Sequence, residues 1–166
     1  NKIKFFKKDE KLFTYDNTEI RIDNKYLINS EDIIFDRRKG VLSSNKNTLI
    51  IDNYQNEVIS SEFKFFTDDQ LLKAKSASIK DSIGNNTFLK NLIANLNDDQ
   101  FFGKDVKINF NKNTFGNLDN DPRLYGNTIT SSENITQISK GVFTTCKKND
   151  DCPPWKLSAD KIIHDK

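Results

Sequence analysis

VKINFNKNTF, residues 106–115, decides the fold class of this chain. Val106, Ile108 and Phe110 leave one face of an extended backbone, and Lys107, Asn109 and Asn111 leave the other. Strict alternation over this length marks a half-buried β-strand, because successive side chains point to opposite faces of the pleat. Asn111–Asn113 then supplies turn residues before a return expected at Thr114 and Phe115.

Outward from this stretch the same unit recurs: a few apolar or alternating residues closed by Asp or Asn, followed by a polar turn. The closing residues are Asp36, Asp52, Asp68, Asp81, Asn97 and Asn111, a period of about 15 residues. That is too short for helical repeats and fits a strand, a turn and a return strand, stacked as a β-solenoid or hairpin array. Residues 87–97 carry a second pattern, because Phe88, Leu89, Leu92, Ile93 and Leu96 also suit an amphipathic helix. Asn86 or Thr87 would cap it. Between copies of a strand unit, the strand reading is preferred.

The composition sets limits. With 35% hydrophobic residues and a mean hydropathy of −0.71, the core has to be thin or strung out. Thirteen phenylalanines, many in alternating runs, argue for order. The net charge of +2, with both signs interspersed, gives no basic field that calls for nucleic acid. No apolar run exceeds three residues, so no transmembrane helix is expected. The chain begins at Asn1, lacks Met and stops within an alternating segment. It therefore reads as an excised piece of a longer protein. Residues 1–17 are read as an N-terminal extension or frayed edge, and 18–166 as one all-β domain.

Catalytic chemistry is not indicated. His164 stands alone, no nucleophile–base pair is suggested, and the acids sit at turns, where they bond the local backbone. Cys146, Cys152 and His164 are too few for a closed zinc site. No cofactor or metal is expected. The two cysteines bracket a polar spacer. A local disulfide, a reduced pair, or separate partners outside this segment all remain open.

The apolar faces are the candidate functional surface. Ile33, Phe35, Leu49, Ile51, Phe63, Phe65, Leu96, Ile108 and Phe110 are expected to form the core. If stacked short strands leave the two walls open along one side, the same residues line an apolar trough for acyl chains. Each buried methylene would then contribute about 0.8 kcal/mol.

Three stretches carry a family resemblance. They are NDPRLYG at 120–126, KGVFTTC at 140–146 and PWKLSADKIIHD at 154–165. Together they resemble the N-terminal periplasmic (OstA-like) domain of the LptD family of outer-membrane lipopolysaccharide-assembly proteins. The most specific part is 141–165: a Phe-Thr-x-Cys, a polar spacer, a Trp, and an Ala-x-x-Ile-x-His-Asp close. With the repeat unit, the resemblance extends from about residue 25 to the end.

The resemblance implies an open, V-shaped β-jellyroll (β-taco) that conducts lipopolysaccharide, with acyl chains in the trough and sugars outside. It implies a periplasmic domain followed by an outer-membrane β-barrel with a lipoprotein plug. It also implies a periplasmic bridge protein joined by edge-strand addition, here at residues 18–28. Cys146 matches the family cysteine used in disulfides to the barrel. Cys152 departs from the simplest pattern and leaves open which thiol serves that link. Two other readings compete with this one. A free-standing bridge component of the same pathway is disfavoured by the Cys–Trp–His-Asp close. A structural or glycan-binding β-repeat module would need exposed aromatics on the polar faces.

Overall fold

The computed structural model describes residues 2–148 and 155–165. The chain is all-β. Strands β1 (Lys2–Phe6) and β2 (Lys11–Tyr15) form a first hairpin, and β3 (Asn17–Ile22) and β4 (Tyr26–Glu31) a second. Short strands follow: β5 (Ile34–Asp36), β6 (Val41–Ser44), β7 (Thr48–Asp52), β8 (Glu57–Ser60) and β9 (Glu62–Phe66). Long strands complete the chain: β10 (Leu71–Lys80), β11 (Asn86–Asn95), β12 (Gln100–Asn109), β13 (Arg123–Ser131), β14 (Ile135–Thr144) and β15 (Leu157–Asp165). All belong to one 15-stranded antiparallel sheet that does not close into a barrel.

The sheet forks at β10. Residues 71–75 of that strand pair with β9, and 78–80 pair with β8. From the first half runs a front wall, β9-β6-β5-β2-β1; from the second runs a rear wall, β8-β7-β4-β3. Beyond β10 each long strand serves both walls. A sharp corner divides its two halves, and Ser76 (φ 49°), Asp105 (φ 54°) and Lys140 (φ 49°) are left-handed there. Asp16 (φ 64°) and Asp32 (φ 51°) do the same between β2 and β3 and between β4 and β5. A left-handed residue other than Gly costs about 1–2 kcal/mol, so the packing of the walls has to hold these bends.

The corner moves the inward face by one residue. In β10 the inward residues are Leu72 and Ala74, then Ala77 and Ile79. In β12 they are Phe101 and Gly103, then Val106 and Ile108. Ile28, Ser30, Ile33 and Phe35 repeat the spacing across β4 and β5, and Val58, Ser60, Phe63 and Phe65 repeat it across β8 and β9. The rule in these rungs is i, i+2, i+5, i+7; from β2 to β3 and from β6 to β7 the step across the corner is four, Thr14 to Thr18 and Ser44 to Thr48, and the phase is kept. Residues 87–97 follow it too: Thr87 and Leu89, then Leu92 and Ala94, lie on the strand β11. The three-residue step from Leu89 to Leu92 is what imitates a helix in the sequence.

The recurrence of about 15 residues is therefore real, but its unit is not a hairpin. Each unit crosses from the rim of one wall, through the corner, to the rim of the other. Asp36, Asp68 and Asn97 fall at front-rim turns, whereas Asp52, Asp81 and Asn111 fall at rear-rim turns. Rear-rim aspartates act alike. Asp52 Oδ1 accepts from the backbone N–H groups of Tyr54 (2.9 Å) and Asn56 (2.8 Å), and Asp81 Oδ1 from those of Ile83 (3.1 Å) and Asn85 (2.8 Å). After Asn111 the chain makes a 3₁₀ turn (Lys112–Phe115) and a longer excursion instead of returning at Thr114.

Within residues 1–17, set apart in sequence as an extension or frayed edge, β1 and β2 extend the front wall through Leu12↔Phe35, and Asn17 opens β3 of the rear wall. Two of the expected core residues are misphased. Leu49 and Ile51 point outward from β7, because Thr48 and Ile50 are its buried residues. The run Leu49-Ile50-Ile51 has no polar residue to set its phase, and its inward neighbour Thr48 reads as polar.

Ile50→Ala is expected to lower the unfolding free energy by about 2–5 kcal/mol. Ile51→Ala should cost only about 0.5 kcal/mol. Urea denaturation at neutral pH compares them, and the reverse order contradicts this phase of β7.

Candidate binding trough between the walls

Inward ladders build the trough. On the front wall one ladder runs Phe35–Leu42–Phe65–Leu72–Ala94–Phe101, each residue directly opposite the next. On the rear wall another runs Ile20–Ile28–Ile50–Val58–Ile79, then passes Thr87 to Ile108, Leu124 and Phe143. Between them, at the corner, lie Ile33, Phe63, Ala74, Leu92 and Ile129, all buried. The two walls thus share a single apolar core, and Phe63 and Phe65 are 1% and 2% exposed.

The corner changes character along the stack. Its N-terminal part is lined with hydroxyls: Thr18 donates to Thr14 (2.8 Å), Ser30 and Thr48 are hydrogen-bonded at 2.8 Å, and Ser44 donates to the Glu31 carbonyl (2.7 Å). Ser60 Oγ continues this stack, buried and without a partner among the described residues. Towards the C-terminal end the corner is apolar and tight. A Cβ on Gly126 would run into Ile138 Cγ2, and one on Gly103 would lie 2.8 Å from Leu89 Cδ1.

The rims leave a lengthwise mouth. A hollow of about 410 Å³ opens there, lined from the rear wall by Tyr26, Val58 and Ile79 and from the front wall by Leu96, Phe101 and Ser131. Beneath it a smaller recess of about 70 Å³ lies between Ile28, Ile50 and Val58 on one side and Leu72 and Leu96 on the other. Across the mouth the Tyr26 hydroxyl donates to Asp99 Oδ1 at 3.2 Å. Burial, and then the Asp99 carboxylate, push the Tyr26 phenol up to about 12 from 10.0.

Near the C-terminal end the mouth is flanked by an aromatic cluster. Phe110 meets Phe115 and Phe143 edge-on, at 5.7 Å and 6.2 Å between centroids, and Phe143 lies 6.0 Å from Trp155. Behind it, buried Arg123 donates to the carbonyls of Asp121 (3.0 Å) and Cys146. Asp121 in turn accepts from the Lys148 backbone N–H (2.9 Å) and pairs with Lys112 (3.2 Å), and these contacts hold its carboxyl below the ordinary range.

Of the candidate trough residues, Ile33, Phe63, Phe65 and Ile108 are buried in the shared core, and Phe35, Leu96 and Phe110 pack against it. Leu49 and Ile51 are excluded from it, as described above. Sequence reasoning missed Tyr26, Ile28, Ile50, Val58, Leu72 and Leu92; the i, i+2, i+5, i+7 spacing would have found Ile28, Val58, Leu72 and Leu92, and plain alternation from Leu42 would have found Ile50. Among the described residues the Cys146 thiol has no disulfide partner; it is buried, 3.7 Å from the Trp155 carbonyl oxygen. Cys152, and with it any pairing of the two, lies outside the described residues. His164 sits on β15 at the far end of the front ladder, opposite Thr136. Among the described residues, no group of His, Cys, Asp or Glu side chains is arranged to hold a metal ion. The chain matches no protein-family model and no curated protein sequence.

Tyr26→Phe removes the bond across the mouth and should cost about 0.5–1.5 kcal/mol at pH 8. Folding raises the phenol pKa, so the folded chain holds this proton more tightly than the unfolded chain. The stability gained is full below pH 10.0 and is lost as the pH rises towards about 12. The gap between wild type and Tyr26→Phe should therefore shrink between pH 8 and pH 11.5 in urea titrations. A gap that stays constant or widens contradicts the link.

Proposed function

We propose that this chain is a lipid-conducting module of lipopolysaccharide assembly in the periplasm, carrying acyl chains between the two walls while the sugars stay in water. The observation that supports it is the pair of inward apolar ladders running the length of the stack beneath a mouth bridged by the Tyr26–Asp99 bond. The resemblance of residues 120–126 and 140–165 to the OstA-like domain supplies the substrate class.

Side chains fill most of the trough at rest, so an acyl chain enters only where the walls part. The mouth beside Tyr26 and Asp99 is the least costly place, because the hollow and the small recess beneath it already lack packing atoms. Each methylene taken in from water returns about 0.8 kcal/mol, which offsets the loss of the Tyr26–Asp99 bond within a few carbons. No group that reacts is required, and the module binds and passes its cargo unchanged.

The unpaired edges suit the expected partners. β3 pairs only with β4, and β15 only with β14. Addition of a strand of a periplasmic bridge protein at β3, and continuation towards an outer-membrane barrel and its lipoprotein plug beyond β15, complete the proposed route. A glycan-binding module is the second reading. It draws on Phe88 and Tyr125, exposed on the outer face of the rear wall on either side of Lys107.

Photo-crosslinking residues at Val58, Leu96 and Lys107 discriminate between these readings in a Gram-negative envelope. Lipopolysaccharide adducts from Val58 and Leu96, with none from Lys107, are the expected result. Adducts from Lys107 alone favour the glycan reading, and adducts from none of the three remove the conduit.

A further inference from the structure

Outside the trough, the outer face of the front wall carries a second concave surface. A shallow hollow of about 400 Å³ is lined there by Lys64, Lys73, Lys75, Lys104, Ile93 and Phe102, and it shares Ile93 and Phe102 with an adjoining hollow towards the rim. Two rows of the sheet build it. In one row Lys64 stands directly opposite Lys73, and Lys73 opposite Ile93, which faces Phe102. In the next row Lys75 and Lys104 flank Asn91.

The hollow gathers four lysines around one acid, Glu62. Several cations elsewhere sit against acids, as in Lys11–Asp36, Arg21–Glu19, Arg38–Glu10, Lys46–Asp32 and Lys90–Asp105. Among the described residues, only Lys75 of the hollow has such a partner, Glu62 at 2.7 Å. Lys64 is flanked by Ser43 and Lys73, and Lys104 by Asn91 and Thr128. Lys73 rests over the Phe66 ring at 5.0 Å. Like charges directly opposite on a ladder are destabilising, and a solvated polar face gains nothing from such a pair. A bound anion removes the conflict.

We propose that this hollow binds the phosphomonoester headgroup of an amphiphile, with the phosphate among Lys64, Lys73 and Lys104 and its hydrocarbon along Ile93 and Phe102. A phosphomonoester carries about −1.5 to −2 charge at neutral pH, so it neutralises these ammonium groups better than one carboxylate does. Lys73 and Lys104 are two strands and two residues apart, about 12 Å, and Lys64 is one strand beyond Lys73, spans that flexible lysines reaching inward to one phosphate can close. The ammonium group binds phosphate as a point charge, without the fixed fork that an arginine imposes. Ile93 is exposed beside the lysines, which suits a headgroup on a lipid rather than free phosphate. This site faces away from the trough and does not depend on what the trough carries.

The test uses amide chemical-shift titration with soluble dihexanoyl phosphatidic acid, dihexanoyl phosphatidylcholine and inorganic phosphate. Phosphatidic acid is expected to shift the amides of Lys64, Lys73, Ile93, Phe102 and Lys104, binding at least tenfold more tightly than inorganic phosphate. Phosphatidylcholine should leave them unmoved. Combined Lys64→Gln, Lys73→Gln and Lys104→Gln should weaken phosphatidic acid at least tenfold while the spectrum stays dispersed, and Lys11→Gln should not. Equal affinity for inorganic phosphate, with Ile93 and Phe102 unmoved, overturns the lipid assignment. Shifts confined to Val58 and Leu96, or binding that survives the triple substitution, overturn the site. The first of those outcomes leaves the trough reading intact, so the two proposals fail separately.

Discussion

A single bend in every rung sets this architecture. A flat antiparallel sheet buries one face only against something else. Here the sheet folds at its own midline, and its two halves bury that face against each other. The bend shifts the inward phase by one residue while the hydrogen-bond register runs through unchanged: Lys75 pairs with Asn91 on one side of Ser76 and Ala77 with Leu89 on the other. Left-handed Asp16, Asp32, Ser76, Asp105 and Lys140 absorb the turn. None of these is glycine, although Asp enters the left-handed region more readily than most residues, and packing of Phe63, Leu92 and Ile129 helps to hold the bend. Core substitutions therefore act on the angle between the walls as well as on stability.

The same constraint distributes polarity. The corner is the most buried line of the molecule, yet in the N-terminal half it is made of Thr14, Ser30, Ser44, Thr48 and Ser60. These small hydroxyls fit where the walls converge and satisfy one another or nearby carbonyls, apart from Ser60. In the C-terminal half Gly103, Gly126 and Gly141 play the spatial role with no side chain at all. In several rungs the small residue on one side of the corner meets a larger apolar one on the other, as Ser30 with Ile33, Ser60 with Phe63 and Gly126 with Ile129. Close packing at the corner leaves the hollow at the mouth as the open part of the trough.

Much of this was legible in the residues. Alternation in 106–110 gave the strand, and the Asp and Asn closures at 36, 52, 81 and 111 marked the rims, because their carboxylate and amide oxygens accept backbone N–H groups there. The corner was not legible. Its step of three residues breaks alternation in mid-strand, so Leu89 and Leu92 looked helical; into β7 the step is four, from Ser44 to Thr48, and the polar Ser44 and Thr48 hid a phase that alternation would have carried. Buried hydroxyls deepened the error, since Thr48 and Ser60 read as surface residues and pushed the expected core onto Leu49 and Ile51. Tyr26 and Asp99 are 73 positions apart, and no local pattern links residues that meet only when two rims face each other.

Cysteine scanning along β10 tests the bend most directly, in a chain whose Cys146 and Cys152 are serine. Maleimide labelling of single cysteines from 72 to 77 reads which side chains face the interior. The account predicts slow labelling at 72, 74 and 77 and fast labelling at 73, 75 and 76. Slow labelling at 76 with fast labelling at 77 would mean unbroken alternation, a strand without a corner, and no second wall.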